Sequence, residues 1–148
     1  MTEGSALTDF GHRMLNHVHR GVLAISGGRV GARLGSMPVV ELHTIGRASG
    51  RRRSVLLTAP IHEGGTYVLV ASKGGDPRHP EWYANLVAHP VVELTVDGRT
   101  SRMRARTATP EERAELWPRI VREYRGYAGY QRRTSREIPV VLCEPLTE

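Results

Sequence analysis

The chain has 148 residues, 39% of them hydrophobic and 24% charged, a composition that suits one domain able to bury its own core. A formal net charge of +6 asks for an anionic partner: nucleic acid, a membrane surface, or a phosphorylated or carboxylated small molecule. A single cysteine, Cys143, excludes a disulfide framework and a cysteine-built metal site; no run nears the roughly 20 apolar residues of a membrane span, and the start lacks a signal peptide's apolar core, so a reducing cytoplasm is expected.

In residues 9–25 the apolar positions Phe10, Met14, Val18 and Val22 recur every four residues, which predicts a helix capped by Thr8 or Asp9. Its other side carries His12, Arg13, His19 and Arg20. Such a helix could lie on an anionic membrane, or simply pack its stripe on the domain. A glycine-rich linker follows, so residues 1–25 are set apart from a main domain over 26–148. PVVELHTI reads as a strand, GRASGRRR as a turn, SVLLTAPI as a strand, HEGG as a hairpin turn and TYVLVAS as a strand. SKGGDPRHP then opens a helix over 81–88. VVELTV and RTSRMRARTA are strands joined by Asp97-Gly98, a strong two-residue hairpin signal. Thr109 caps the next helix, Pro110 takes its first position, and Pro118 should kink or split it. An aromatic, glycine-containing loop leads to a last strand, IPVVLCEP. Six short strands with flanking helices predict an α+β fold on an antiparallel barrel or curled sheet.

Three constellations could carry chemistry. The turn from Gly46 to Arg53 holds four arginines, two glycines and Ser49, the ingredients of an anion nest or of a solvated basic turn. The second is Ala71-Ser72-Lys73-Gly74-Gly75, where the chain's only lysine meets two glycines, followed by Trp82 and Asn85 on one helix face. Trp82 could be core, whereas a buried Asn85 amide would need partners. Third come Tyr124, Tyr127 and Tyr130 beside Gly126 and Gly129, either a mobile aromatic wall or an anchor to the core. The histidines show no metal-ligand spacing, Cys143 sits in a core-like strand, and GxSxG, Walker and GxGxxG motifs are absent, so neither a metal site nor covalent catalysis is expected.

In this order the pieces resemble the deazaflavin-dependent nitroreductase family, split-barrel oxidoreductases that use coenzyme F420. The likeness is carried by Gly46-Arg47, Ser49-Gly50 and Arg53, then Ala71 to Gly75, then His79-Pro80, Trp82-Tyr83 and Asn85-Leu86. It continues through Glu111-Glu112-Arg113, Trp117-Pro118, the three tyrosines, Ile138-Pro139-Val140 and Cys143-Glu144-Pro145. The resemblance implies a six-stranded antiparallel split barrel like those that bind flavin mononucleotide. It also implies hydride transfer from reduced F420 to a quinone, nitroaromatic or enone.

On that implication Arg47, Ser49, Gly50 and Arg53 hold the anionic tail, and Ser54, Val55, Leu56 and Leu57 line the path inward. Ala71, Ser72, Lys73 and Gly74 meet the ring system, Trp82 and Asn85 complete the pocket, and Tyr124, Tyr127 and Tyr130 face the substrate. Ser72 and Tyr127 are the candidates for proton transfer. Ala48 stands where the family is often basic, and Arg125-Gly126 lacks a proline often found there. The alternatives are a split barrel using flavin mononucleotide, a non-catalytic F420 carrier, and a nucleic-acid-binding barrel exposing Arg102, Arg104 and Arg106. The last lacks the interleaved aromatic residues of a base-stacking platform. The expected partner is therefore a small-molecule hydride acceptor and no nucleic acid, with peripheral membrane contact open through the first helix.

Overall fold

The computed structural model describes residues 33–34 and 37–146. The amphipathic segment 9–25 lies outside them. The described chain forms β1 (Arg33–Leu34), β2 (Met37–Ile45), β3 (Arg52–Thr58), β4 (Ile61–Glu63), β5 (Thr66–Val70), a single 3-10 turn (Lys73–Gly75) and α1 (Glu81–Ala88). It continues through β6 (Val91–Val96), β7 (Arg99–Thr107), α2 (Pro110–Glu123), α3 (Gly126–Arg132) and β8 (Val140–Pro145). The strands make one curled antiparallel sheet in the order β1-β2-β6-β7-β8-β5-β4, with β3 also paired to β2.

All six expected strands are present, and β1 and β4 bring the described number to eight. SVLLTAPI does not run through as one strand. Pro60 has no N–H for a ladder, and Ala59 donates to the Pro38 carbonyl at 2.9 Å, so β3 ends at Thr58 and β4 pairs with β5 instead. The expected four-residue turn HEGG shrinks to Gly64-Gly65, both at positive φ (58° and 82°).

Period-two alternation sorts side chains onto two faces. Val40 and Leu42 of β2, Leu69 of β5, Val92 and Leu94 of β6, Met103 and Ala105 of β7, and Val141 and Cys143 of β8 build an inner core, against which Trp82 and Leu86 of α1 pack. Val68, Val70, Val140 and Leu142 face the other way and bury Ile120 of α2 and Tyr127 of α3. Cys143 is fully buried, and burial pushes its thiol pKa up to about 12.

The start of α2 follows its sequence signals. The Thr109 hydroxyl accepts from the Glu112 amide at 3.2 Å, and the Glu112 carboxylate accepts from the Thr109 amide at 2.9 Å. Pro118 does not split the helix, which continues for 14 residues. Leu116, Trp117 and Ile120 hold that region on the outer core, and the Arg113 guanidinium lies 4.4 Å over Trp117. The expected aromatic loop is instead the short helix α3. Gln131 secures it: its side-chain oxygen accepts from Ile138 N at 2.9 Å, and its Nε2 donates to the Arg136 carbonyl at 2.7 Å.

Arg106 ties this end to the sheet, donating to Glu112 at 2.7 Å and to Glu144 at 2.8 Å. The Arg106 bond chiefly holds the Glu112 carboxyl at about 2, below its ordinary 4.5. A lowered folded-state value means stabilisation that is complete above pH 4.5 and is lost as pH falls toward 2. Glu112→Gln should therefore lower the Tm at neutral pH, and the gap to the parent protein should close across that acid range. A gap that stays constant in thermal melts down to acid pH would count against the ion pair as its cause.

Candidate active site

An open cleft of about 450 Å³ lies where the β2–β3 turn meets α1. That size suits an organic cofactor. Its wall includes Arg47, Ser49, Arg53, Ser54, Val55, Trp82 and Asn85, so two of the sequence constellations, 38 residues apart at Arg47 and Asn85, meet here. Thr44, Gly46, Ala48 and Glu81 complete it. Trp82 serves both readings: it belongs to the inner core and also lines the cleft.

The turn is shaped by its own backbone. Gly46 N donates to the Arg51 carbonyl and Gly50 N to the Gly46 carbonyl, both at 2.8 Å. Gly50 has φ +70°, which glycine adopts without strain. Asn85, only 5% exposed, finds its partners in the turn: its Oδ1 accepts from the Arg47 amide at 3.1 Å and from Arg47 Nη1 at 3.0 Å. Its Nδ2 donates to the Thr44 hydroxyl at 3.4 Å.

The arginines of the turn are not equivalent. Arg47 is ion-paired with Glu81 at 2.7 Å, and Arg52 with Glu93 at 2.6 Å. The guanidiniums of Arg51 and Arg53 have no hydrogen-bonding or ionic partner among the described residues. The uncommitted positive charge of the turn therefore sits on them.

Of residues 54–57, Ser54 and Val55 line the cleft and Leu56 and Leu57 do not. Val55 and Leu57 pack on the inner core, and Leu56 is buried outside that cluster. The Ser54 hydroxyl is held by His43 Nδ1 at 2.7 Å, and the other His43 nitrogen meets the Thr95 hydroxyl at 2.8 Å. The network around the buried His43 was hidden in the sequence, since Thr95 lies 52 residues away.

Ala71, Ser72, Lys73 and Gly74 do not line the cleft wall; they form and precede the 3-10 turn against α3. Gly75 does make room, but for protein: a Cβ there would sit 2.6 Å from the Tyr130 carbonyl. The Ser72 hydroxyl is nine-tenths buried and has no hydrogen-bond partner among the described residues. Buried polar groups are normally partnered, which marks this hydroxyl for a ligand or water.

The three tyrosines come together. Tyr127 meets Tyr124 edge-on with ring centroids 5.2 Å apart, and Tyr130 at 6.1 Å. Tyr124 is 43% exposed, whereas Tyr127 is buried and its hydroxyl is 3.1 Å from the Thr58 hydroxyl. Burial raises the Tyr127 pKa above its ordinary value of 10.0. No hydrogen bond joins Ser72 and Tyr127, whose hydroxyl is instead paired with Thr58.

If Asn85 is the rivet between turn and helix, Asn85→Leu should cost about 1–3 kcal/mol, the penalty for leaving the Arg47 amide without its acceptor. Urea unfolding measures this, and a loss under about 0.5 kcal/mol would place the variant among neutral surface changes.

The profile of the F420H(2)-dependent quinone reductase family matches residues 15–145. The F420H(2)-dependent quinone reductase Rv1261c of Mycobacterium tuberculosis is 41% identical over 133 residues, covering 86% of this chain and 88% of that protein. A solved F420-H2 dependent reductase, FDR-A, superposes with a TM-score of 0.65 at 42% identity over 72% of this chain and 94% of its own. A second solved chain, described as a domain-swapped dimer, gives a TM-score of 0.68 at 38% identity, covering 88% and 98%. With cleft, basic turn and sheet all in place, the chain belongs to the F420H(2)-dependent quinone reductase family.

Proposed function

We propose that this protein is an F420H2-dependent oxidoreductase that passes a hydride to a quinone, with nitroaromatics and enones as related acceptors. The observation that carries the reading is the cleft with the uncommitted Arg53 guanidinium in its wall and Arg51 on the same turn, on a chain matched by the family over residues 15–145. When bound, reduced F420 supplies the hydride from its deazaflavin ring. The residues present fit such a group: cations for an anionic tail at the cleft's turn and, outside the cleft wall, a buried Ser72 hydroxyl without a hydrogen-bond partner among the described residues.

On this reading Arg51 and Arg53 bind the tail, while Arg47 positions the turn through Glu81 and Asn85. Trp82 offers an apolar wall, and residues 71–74 present backbone and the Ser72 hydroxyl to the ring. Quinone reduction consumes a proton as well as a hydride. On the same reading Ser72 and Tyr127 orient or donate it, Tyr127 being protonated at neutral pH because burial holds its proton. Tyr124, Tyr127 and Tyr130 form the acceptor's aromatic wall. The sheet is read as the split barrel of the family. The enzyme is read as cytoplasmic, with peripheral membrane contact through residues 9–25.

The decisive titration compares F420, flavin mononucleotide and a DNA oligomer, followed by oxidation of reduced F420 with menadione. Tight F420 binding with turnover is expected; binding without turnover would make the protein a carrier, and preference for either other ligand would end the reading. Arg51→Ala and Arg53→Ala should each weaken F420 roughly tenfold and leave a tail-less analogue almost unaffected. Equal losses for both ligands would remove the tail assignment. Activity depending on Tyr127 as an acid should show no alkaline decline until pH exceeds 10.0, since its value is raised. Normal turnover in both Tyr127→Phe and Ser72→Ala would exclude the pair from proton transfer.

A further inference from the structure

Arg136 stands in a loop between α3 and β8 that no motif singles out, yet its guanidinium reaches four separate residues. Nε donates to the Asp76 carbonyl at 2.9 Å, Nη2 to the Ser72 carbonyl at 2.9 Å, and Nη1 to the Ala71 carbonyl at 3.3 Å. Nη1 also lies 3.0 Å from His79 Nδ1, which accepts, since a guanidinium only donates. One half-buried side chain thus collects carbonyls from both ends of the 71–76 segment.

That segment needs an external hold. Lys73 adopts φ 45°, Gly74 62° and Gly75 84°, three successive left-handed residues. For a lysine this costs roughly 1–2 kcal/mol, and such strain persists only where surrounding contacts over-determine it. The turn's backbone bonds include Gly75 N to the Ser72 carbonyl at 2.9 Å and Asp76 N to the Lys73 carbonyl at 3.1 Å. The bond from Arg136 to the Ser72 carbonyl fixes a buried residue whose hydroxyl has no hydrogen-bond partner among the described residues.

We propose that Arg136 is a positioning residue: it holds the Ala71–Asp76 backbone in its strained form before the cofactor arrives, so that the Ser72 hydroxyl and neighbouring backbone are already set for the deazaflavin ring. This rests on the proposed F420 reading and deepens it. The planar fork explains why the position suits arginine: lysine keeps the charge but cannot span three carbonyls at fixed angles.

The test uses Arg136→Lys and Arg136→Met in the full chain, titrated with F420 and with its tail-less analogue. Both variants should lose roughly tenfold or more in affinity, equally for the two ligands, because the defect lies at the ring end. Arg53→Ala should lose affinity for F420 alone. Folded variants that bind both ligands within twofold of the parent would overturn the assignment. Hydrogen exchange on the parent protein covers the case in which the variants do not fold. The Gly75 and Asp76 amides should be protected without cofactor and little changed by it; protection that appears only on F420 binding would overturn pre-organisation. If the parent protein binds no F420 at all, it is the cofactor reading that fails. Protected amides in that protein would leave Arg136 holding the loop for another ligand, and unprotected ones would overturn its role as well.

Discussion

Burial of β8 on both faces is the constraint from which the rest of the molecule hangs. Val141 and Cys143 enter the inner core, while Val140 and Leu142 enter the outer one. A strand with this double commitment cannot shift by one residue without exchanging every side chain between two packed interiors. Its neighbour β5 is locked in the same register, Val70 opposite Val140 and Tyr67 opposite Cys143. Because Ala71 N then donates to the Pro139 carbonyl at 3.0 Å, the segment leaving β5 starts from a fixed point. The outer core also seats Tyr127, so the aromatic cluster and the glycine turn take their positions from one strand.

At the other end of the site, charge is distributed rather than accumulated. Two arginines of the β2–β3 turn are neutralised by acids on α1 and β6, which ties the turn to the body of the protein. Exposed pairs like these contribute little stability, but they fix the turn's direction. Arg51 and Arg53 have no such ties among the described residues. A cluster of four cations in the sequence is thus two fasteners and two guanidiniums without a partner among the described residues.

Much of this was legible in the residues, wherever the determining interaction is local. Alternation in TYVLVAS separates Leu69 and Ala71 from Val68 and Val70, as the two cores require. Thr109-Pro110-Glu111-Glu112 declares a helix start, and Asp97-Gly98 declares a hairpin. What escaped depends on distant partners. Pro118 argues against a continuous helix, but its neighbours' burial against β5 and β8 prevails. Arg136 acts on residues 57 to 65 positions earlier, and among the arginines around it nothing local distinguishes it. Asn85 was suspected of needing partners, yet only the fold shows that the partner is Arg47.

Quinones are electrophiles that can arylate free thiolates as well as accept hydride. The only sulfhydryl in this chain, Cys143, is sealed between strands, and burial holds its proton up to about 12. Almost none of it is ionised under physiological conditions, and no reagent reaches it without unfolding the sheet. Packing alone thus withdraws this thiol from arylation by an electrophilic acceptor.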